Sequence, residues 1–570
     1  MAIESFSFDK GINRKKARLY LEDGELYSCS GFSYNNDGIL TARSAKTVGT
    51  AIDITATSKI NGIHRYDDDI YASSKALCPG SQAYFNYIYH RITGSHSNID
   101  FLAGNTRPRW ADYEKFVFVV DGESKRTLID EKDYEWGVSN PDNAPTLVAS
   151  GVASTVSPTG PYTCYYTYYI TFPNEKIVET GPSPAGTITV SLKQILWSGL
   201  TFCNYAGSGL LIQKRLYRTV SGTAYLVTTI DNAQTTYTDN VTDVTLQAST
   251  ALGTENYSVP TINIVDIAIY LQRIFGIKKN KLYWSEPYTP FSFKITSDVA
   301  ITKNDKEDLV VVVNWGDQLY MASIEEWYRL QGTDPTTWAV KRTFTDSGII
   351  NKHTLKRSKY GLIGLWHDGI YLFDGSISRN ITEKKLGRTF FTDISDLTVA
   401  YAEFDGTKYC FYYASSGTTI NSCLVLDFAY YPDLRIYNDD FIADAHEFYK
   451  NTNYKYLVKG GYEYTESGTE TIATSLITGD RAFQALLKRK CLDYLYYDLN
   501  SNGKDVSVSI LIDGSSGQTL TLNKSSRVRT RSSKLKALEG YRFGLQITCA
   551  DSQSLEIYSP WALEATPVGE

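Results

Sequence analysis

The chain has 570 residues, is 42% hydrophobic and 21% charged, and carries a formal net charge of −6 at pH 7. This composition excludes a disordered chain, a collagen and a coiled coil, and the acidic balance is not that of a typical basic nucleic-acid binder. The 44 Tyr and 23 Phe favour half-buried β-strands, and a chain of this length is expected to form more than one domain.

The first 60 residues carry a cluster of cations: Arg14, Lys15, Lys16 and Arg18. They contain no apolar segment of the kind found in a secretory signal peptide, so we expect synthesis in a cytoplasm without standard export. The longest apolar run of the chain, near residues 309–313, is far shorter than the roughly 20 residues that span a bilayer. We therefore expect no membrane span, and we expect residues 1–60 to act as a contact arm for partners.

Residues 61–142 predict the first blades of a β-propeller. Strand-like runs flank the turns at Asp67-Asp68-Asp69 and Asp121-Gly122. Asp-Gly between two such runs is a strong hairpin signal, because a type I′ turn needs positive φ at both central residues. The two turns are about 50 residues apart, which is close to the length of one blade.

Residues 143–260 differ from the segments on either side. They follow a linker-like stretch around Pro141 and Pro145, and they include a tyrosine-rich strand with period-two alternation at residues 162–170. Strands at 8–12-residue spacing over about 110 residues are typical of a small β-sandwich. We interpret this segment as a sandwich, similar to a fibronectin type III module, inserted in a loop of the propeller.

Residues 261–487 repeat the pattern of two β runs joined by a tight turn. The turns lie at Lys279-Asn280, Gly316-Asp317, Asp368-Gly369, Asp405-Gly406 and Asn451-Thr452-Asn453. Repeats of about 40–50 residues that each hold several strands predict the remaining propeller blades. There is no Trp-Asp signature of a WD40 repeat, and a different large antiparallel β protein stays open as an alternative.

Residues 488–570 are strand-rich and predict a C-terminal β-sandwich, or a sheet packed on the propeller. The segment from Asp498 to Lys504 matches the opening of an EF-hand calcium loop, but Ser509 stands where the bidentate glutamate belongs. We interpret it as a hairpin turn in which Asn502-Gly503 supplies the positive φ.

Motifs for catalysis and metal binding are missing from the sequence. The eight cysteines form no C-x-x-C pair and are expected to be reduced thiols. There is no nucleophile elbow or phosphate-binding loop, and His446-Glu447 lacks the second histidine of a zinc helix. Carboxylate pairs suited to glycoside cleavage cannot be singled out among 63 acidic residues. We therefore predict a protein that is not an enzyme, with no catalytic residue, cofactor or metal.

A second basic group near the C-terminus has period-two spacing: Arg527, Arg529 and Arg531. This spacing places all three on one face of a strand. Such a face is either solvated and guards a sheet edge, or contacts another subunit or partner. Together with Arg14, Lys15, Lys16 and Arg18, these arginines are the candidate interface residues.

Several blade-type motifs carry a resemblance to a known family. They are Leu271–Gly276, Lys281–Pro287, Leu319–Met321, Trp327–Gly332, Ser347–Ile350 and Trp366–Gly375. These motifs resemble those of the tail nozzle, or DNA-stabilisation, proteins of short-tailed bacteriophages. The similarity is best over residues 265–437 and looser over most of the chain.

The resemblance implies a structural protein of the virion tail, assembled in the host cytoplasm. Its expected form is a homohexameric ring below the portal and adaptor, which extends the DNA channel, helps to retain the genome and carries tail fibres or spikes. An acidic lumen would repel phosphate and let the genomic DNA slide. The alternative is a propeller-based tail protein that binds or degrades glycans. A binder would need exposed aromatic residues around a groove, and an enzyme would need acidic residues that converge on the propeller axis.

Overall fold

The computed structural model describes residues 2–35, 37, 39–51, 59–66, 69–77, 84–91, 97–102, 106–129, 132–151, 158–207, 209–253, 263–294, 296–302, 307–449, 454–460, 462–466, 471–483, 487–536 and 538–568. Strands dominate these residues, so the predicted all-β, propeller-like class is confirmed. The chain folds into two compact units. The first unit holds residues 1–63, 322–327 and 342–570, and the second unit holds residues 64–321 and 328–341.

The N-terminal residues form short strands and one 3-10 turn at Arg18–Tyr20. The strands are β1 (Ala2–Phe6), β2 (Gly11–Ile12), β3 (Glu25–Ser30), β4 (Phe32–Tyr34), β5 (Leu40–Ala42) and β6 (Thr47–Ala51).

Two four-stranded meanders follow. The first contains β7 (Lys59–Tyr66), β8 (Asp69–Leu77), β9 (Tyr84–Arg91) and β10 (Ser97–Leu102). The second contains β11 (Arg109–Tyr113), β12 (Phe116–Val120), β13 (Lys125–Ile129) and β14 (Lys132–Glu135).

The insert forms two antiparallel sheets, as a β-sandwich requires. Its strands are β15 (Thr146–Ser150), β16 (Gly160–Thr171), β17 (Ile177–Glu179), β18 (Gly186–Val190), β19 (Gln194–Ser198), β20 (Leu211–Val220), β21 (Thr223–Asp231) and β22 (Tyr237–Asp239), followed by helix α1 (Asp243–Gln247). One sheet has the order β15-β19-β22, and the other has the order β17-β16-β20-β21 with β18 also paired to β16.

Three further meanders come next in the chain. Their strands are β23 (Asp266–Tyr270), β24 (Arg273–Lys278), β25 (Lys281–Trp284) and β26 (Asp298–Ala300); β27 (Val311–Trp315), β28 (Gln318–Ala322), β29 (Trp327–Gln331) and β30 (Ala339–Arg342); then, after a 3-10 turn at Lys352–Thr354, β31 (Lys356–Ser358), β32 (Gly361–Trp366), β33 (Gly369–Phe373) and β34 (Ser378–Asn380).

The last two meanders follow helix α2 (Gly387–Thr392). One contains β35 (Asp396–Phe404), β36 (Lys408–Ala414), β37 (Ser422–Asp427) and β38 (Arg435–Asp439). The other contains β39 (Ala445–Tyr449), β40 (Tyr454–Lys459) and β41 (Tyr462–Thr465), and the N-terminal strand β6 completes it by pairing antiparallel with β41.

The C-terminal strands share two sheets with the N-terminal strands. They are β42 (Thr474–Thr478), β43 (Lys490–Asn500), β44 (Asp505–Ile512), β45 (Ser515–Asn523), β46 (Val528–Arg531), β47 (Leu538–Gly540), β48 (Phe543–Cys549), β49 (Glu556–Ile557) and β50 (Trp561–Pro567). One sheet runs β1-β50-β43-β49-β5-β4, and in the other β3 lies between β38 and β42.

The strands β1 to β6 of the N-terminal segment are therefore part of the sheets of the first unit. Phe6 and Leu26 from this segment are fully buried in one hydrophobic cluster with Leu495 and Trp561 from the C-terminal strands. The physical reason is that β1, β3, β5 and β6 gain hydrogen-bonded partners from strands late in the chain, whereas β2 and β4 pair with their neighbours β3 and β5.

One predicted turn has the expected backbone: Gly316-Asp317 has positive φ at both residues, as a type I′ turn requires. At Asp121-Gly122 and Asp405-Gly406 only the glycine has positive φ, so these hairpins form without the predicted type I′ geometry. Neither Asp368 nor Gly369 has positive φ, and Gly369 is already the first residue of β33. Asn502-Gly503 also has positive φ at both positions, but β43 and β44 belong to different sheets, so this turn joins two sheets and is not a hairpin. The predicted turns at Asp67-Asp68 and Asn451-Thr452-Asn453 lie outside the described residues.

The seven cysteines within the described ranges have free thiols, and Cys78 lies outside these ranges. No helix in the described part of the chain is long and apolar enough to cross a membrane.

Candidate functional site

A cleft of about 330 Å³ in the second unit lies between the insert and two of its neighbouring meanders. Residues from three separate parts of the chain line it, among them Glu114, Tyr169, Glu179, Arg215 and Tyr288. This volume falls within the range of small-molecule sites, which combine apolar walls with a few convergent polar groups.

Turns with left-handed backbone build the rim of this cleft. Glu114 and Lys115 (φ 53° and 66°) join β11 to β12, and Tyr288 has φ 59°. Leu271 and Gln272 (φ 45° and 57°) join β23 to β24 close by. None of these residues is glycine, so each carries a conformational cost of about 1–3 kcal/mol that the surrounding structure must offset.

Specific hydrogen bonds hold these turns together. The Tyr113 hydroxyl donates to the carbonyl oxygen of Gln272 at 2.6 Å, and the Tyr288 N–H donates to the same oxygen at 2.9 Å. From the insert, Asn174 Nδ2 donates to the carbonyl oxygen of Lys115 at 3.0 Å, and Lys176 forms an ion pair with Glu114. Residues of the insert therefore hold the rim in position, although the turns that form the rim lie outside the insert.

A polar wall of the cleft is formed by Glu179 and Arg215. The Oε1 atom of Glu179 accepts hydrogen bonds from the hydroxyls of Thr167 (2.7 Å) and Tyr217 (2.6 Å), and Oε2 accepts one from Arg215 Nη1 (2.9 Å). Burial, followed by the hydrogen bond to Glu179, raises the pKa of Tyr217, so its hydroxyl stays a donor. Each group in this wall is oriented by a neighbour before any ligand arrives.

Arg215 has hydrogen-bonding capacity left over. Its guanidinium carbon lies 3.6 Å from the centre of the Tyr169 ring, and its Nε is buried with no hydrogen-bond partner among the described residues. A buried N–H without an acceptor costs about 1–3 kcal/mol, so this donor is an unsatisfied group in the wall of the cleft.

Aromatic rings supply the apolar part of the cleft. Tyr288 is 64% exposed at the rim. Phe116 and Phe291 lie at the buried end with ring centres 5.0 Å apart, and Phe172 of the insert stacks on Phe291 at 5.5 Å. One exposed ring beside charged groups with fixed positions is an arrangement that suits the apolar face and the hydroxyl edge of a sugar.

The sequence-predicted interface residues all lie in the first unit, and none of them lines this cleft. Near the N-terminus, Lys16 Nζ lies 2.8 Å from Glu22, Arg18 lies 2.6 Å from Asp480, and Lys15 lies 3.8 Å from Glu383. Arg14 lies over the Phe390 ring at 5.6 Å. These cations have partners within their own unit, and their predicted interface role stays a prediction.

The C-terminal arginines lie on or beside β46. Arg527 lies 2.8 Å from Asp498 and 3.7 Å from the centre of the Tyr558 ring, and Arg531 lies over Tyr494 at 4.4 Å. Arg529 is exposed. Because Arg527 and Arg531 already have intramolecular contacts, only part of the positive charge on this strand face is available to a partner.

Sequence reasoning did not identify Glu114, Glu179, Arg215 or Tyr288. Their positions in the sequence are far apart, and the turns that bring them together lack the Asn-Gly or Asp-Gly signal. The one available signal was the alternation in the tyrosine-rich strand, which places Tyr169 on the face opposite to Tyr168.

A comparison with protein-family models and with curated proteins gives no match. Similar solved structures include Sqt1 from Chaetomium thermophilum (10% identity, 67% of this chain and 85% of that chain, TM-score 0.27). They also include the endosialidase of phage phi92 (10% identity, 79% of this chain and 66% of that chain, TM-score 0.24). A third is an exo-β-1,3-galactanase from Phanerochaete chrysosporium (8% identity, 91% of this chain and 100% of that chain, TM-score 0.20).

The prediction that the chain is not an enzyme is contradicted by these comparisons, because glycan-cleaving enzymes stand among the similar structures. The physical reason is that glycosidase carboxylates come from distant strands and leave no local motif, so the missing motifs do not exclude such an enzyme. The similarity is one of fold class alone. None of these three structures is a tail nozzle protein, so that resemblance stays a prediction.

Proposed function

We propose that this chain is a propeller-like phage tail protein that binds a glycan in the cleft between the insert and the meanders of the second unit. The observation that carries the proposal is the position of the exposed Tyr288 ring beside the ion pair of Glu179 and Arg215. Sugar rings have an apolar face that stacks on tyrosine and an edge of hydroxyls that pair with carboxylates and guanidinium groups.

The preorganisation of the cleft supports the same proposal. Glu179 accepts three hydrogen bonds from its own unit, so it loses little side-chain entropy when it accepts a further bond from a ligand. Arg215 Nε is aligned by the stacking on Tyr169 and has no partner among the described residues.

The test is to screen the full-length protein against an array of bacterial surface oligosaccharides, then to titrate the strongest binder by calorimetry. We expect Tyr288→Ala and Arg215→Gln each to weaken binding about tenfold or more, which is about 1.4 kcal/mol or more. Tyr541→Ala is the matched control, because Tyr541 is 46% exposed but does not line this cleft. An array without binders, or equal affinity in all three variants, would overturn the proposal.

The same material decides whether a bound glycan is also cleaved. Glu114 and Glu179 are the two carboxylates of the cleft, and both are ion-paired to cations of the insert. Release of reducing ends that stops in Glu114→Gln would assign a hydrolytic role to this carboxylate. A glycan that binds and stays intact would assign binding alone.

A second candidate function is that of the tail nozzle ring. The homohexamer, the portal-adaptor complex, the fibres and the DNA channel are proposals that depend on this candidate. The observation that favours it is that β1 pairs with β50 and β6 pairs with β41, so both chain ends are built into sheets, as suits a part that must resist force. Deleting the gene in the phage should give heads that lose DNA and carry truncated tails. Filled, infectious particles with complete tails would end this candidate.

A further inference from the structure

A second cleft, of about 930 Å³, lies in the first unit and is unrelated to the proposed glycan cleft in the second unit. Six cations line it: Lys10, Lys15, Lys16, Lys384, Lys385 and Arg435. The lining carboxylates are Asp9, Glu22, Glu25 and Asp433. Charge on the cleft wall is therefore mixed, and its effect depends on which cations are already paired.

The lysines at the N-terminal side of the cleft have carboxylate partners. Lys16 Nζ lies 2.8 Å from Glu22 and 3.5 Å from Glu25. Lys10 lies 3.8 Å from Glu22. By contrast, Lys385 and Arg435 form no ion pair with the described residues.

Arg435, the first residue of β38, is fixed between two aromatic rings. Its guanidinium carbon lies 4.0 Å from the centre of the Tyr430 ring and 4.8 Å from the centre of the Tyr34 ring. Tyr34 is itself held by a 2.6 Å hydrogen bond from its hydroxyl to the carbonyl oxygen of Phe8. Stacking of this kind sets the plane of the guanidinium and leaves its edge available for an acceptor.

One donor on that edge has no acceptor. Nη1 of Arg435 is buried and has no hydrogen-bond partner in the described part of the chain. Native proteins rarely leave a buried charged donor unsatisfied, because the lost solvation is costly. An anion in the cleft would pair with the charge of this guanidinium.

Lys385 provides a second positive charge in the same cleft. Its Nζ donates to the carbonyl oxygen of Lys10, which fixes the ammonium group. Burial lowers the pKa of Lys385; Lys10 and Arg435 add to this effect as like charges, while Glu25 and Asp433 oppose it. Lys385 and Arg435 therefore both line this cleft and repel each other, and neither forms an ion pair with a carboxylate of the described residues.

We propose that this cleft binds a phosphate group between Arg435 and Lys385. A guanidinium fork and a fixed ammonium group recognise a phosphate by charge-assisted hydrogen bonds, and a phosphate can carry the two negative charges that two cations require. A carboxylate shares the chemistry but brings one charge, which makes it the weaker ligand.

The experiment titrates inorganic phosphate into the full-length protein by calorimetry at low ionic strength, with acetate as the carboxylate arm. We expect phosphate to bind and acetate to bind at least about tenfold more weakly. Acetate binding as tight as phosphate binding would overturn the assignment to phosphate, and a wild-type protein that binds neither anion would overturn the site.

Variants test the two named residues. Arg435→Gln should weaken phosphate binding at least about tenfold, and Arg435→Lys should weaken it less, because lysine keeps the charge but loses the fork. Lys385→Gln is an independent variant that leaves the tyrosine stack intact, and it should also weaken binding. Arg388→Gln is the control, since Arg388 is exposed on α2 and does not line the cleft. The proposal would be overturned if Lys385→Gln and a folded Arg435 variant, either Arg435→Gln or Arg435→Lys, both bound phosphate with wild-type affinity.

Discussion

Arg109 and Asp266 form an ion pair with 2.6 Å between Nε and Oδ1, although 157 residues separate them and the whole insert lies between them in the sequence. Asp266 is fully buried, and its second oxygen accepts a hydrogen bond from the Val312 N–H at 2.9 Å. The Asp266 carboxylate therefore connects the first strands of three meanders, which are β11, β23 and β27. These contacts therefore hold together the meanders that precede and follow the insert in the sequence.

Asp266→Ala should destabilise the protein by about 3 kcal/mol or more, because it leaves the Arg109 charge and the Val312 N–H without their acceptor. Urea unfolding of the variant and the wild type measures the difference. Asp298→Ala is the control: its partner Lys281 is largely exposed, so removing that pair should cost at most about 1 kcal/mol. Equal losses in the two variants would contradict the prediction.

The acid stability of the first unit should depend on Asp405. Burial alone would raise its pKa, but Lys455 and the backbone N–H groups of Thr407 and Lys408 more than offset this, and the pKa falls from 3.8 to about 2. A lowered carboxylate pKa stabilises the fold above the unfolded-state value, so this contribution is present above about pH 4 and is lost as the pH falls towards 2.

Thermal unfolding between about pH 6 and pH 2 checks this dependence. We expect Asp405→Asn to have a lower melting temperature than the wild type at pH 6. This difference in melting temperature should shrink as the pH approaches 2. Asp551→Asn, which removes the exposed pair with Lys504, serves as the control and should show a small effect. A difference from wild type that grows at low pH would contradict the assignment.

The insert should be energetically coupled to its neighbouring meanders through Phe172. This ring is buried, lies 5.1 Å from Phe116 and stacks on Phe291, and all three belong to one hydrophobic cluster. Phe172→Ala should cost about 3–5 kcal/mol, whereas Phe202→Ala should cost far less, because Phe202 is 56% exposed. Chemical denaturation compares the two. For the same reason, replacing residues 143–260 by a Gly/Ser linker should expose Phe116 and Phe291 and lower solubility.

The strained turn at the cleft of the second unit offers a stabilising change. Lys115 has φ 66°, which costs energy for any residue with a Cβ. Lys115→Gly should raise stability by up to about 1 kcal/mol, and Lys115→Ala should not, because alanine keeps the Cβ. Thermal unfolding measures both variants. Lower stability for the glycine variant than for the alanine variant would show that the lysine side chain outweighs the strain.

The turns that sequence reasoning located are those with a local chemical signal. Asp121-Gly122 and Asp405-Gly406 could be placed because glycine at these positions permits positive φ. Period-two alternation likewise identified the strands of the insert. These signals act over a few residues, so they specify hairpins and class but not which distant strands become neighbours.

Neither the N-terminal pairing nor the cleft of the second unit could be predicted from such local signals. The pairing of β1 with β50 depends on contacts between the two ends of the chain, for which no local pattern exists. Glu179 on β17 and Arg215 on β20 meet across β16, and Tyr288 lines the same cleft from a turn without glycine. A single sequence does not show which distant residues become neighbours, because these contacts form only when the sheets pack.

The closure of the last meander by β6 has a consequence for synthesis. Strand β6 leaves the ribosome early, whereas its partner β41 is among the late strands, and the flanking ion pair of Lys46 with Glu466 spans 420 residues. Contacts this distant in sequence form slowly, because the loop-closure entropy must be overcome first. Strand β6 must therefore wait without its final partner until β41 has been made, and the meander that β6 closes can be completed only then.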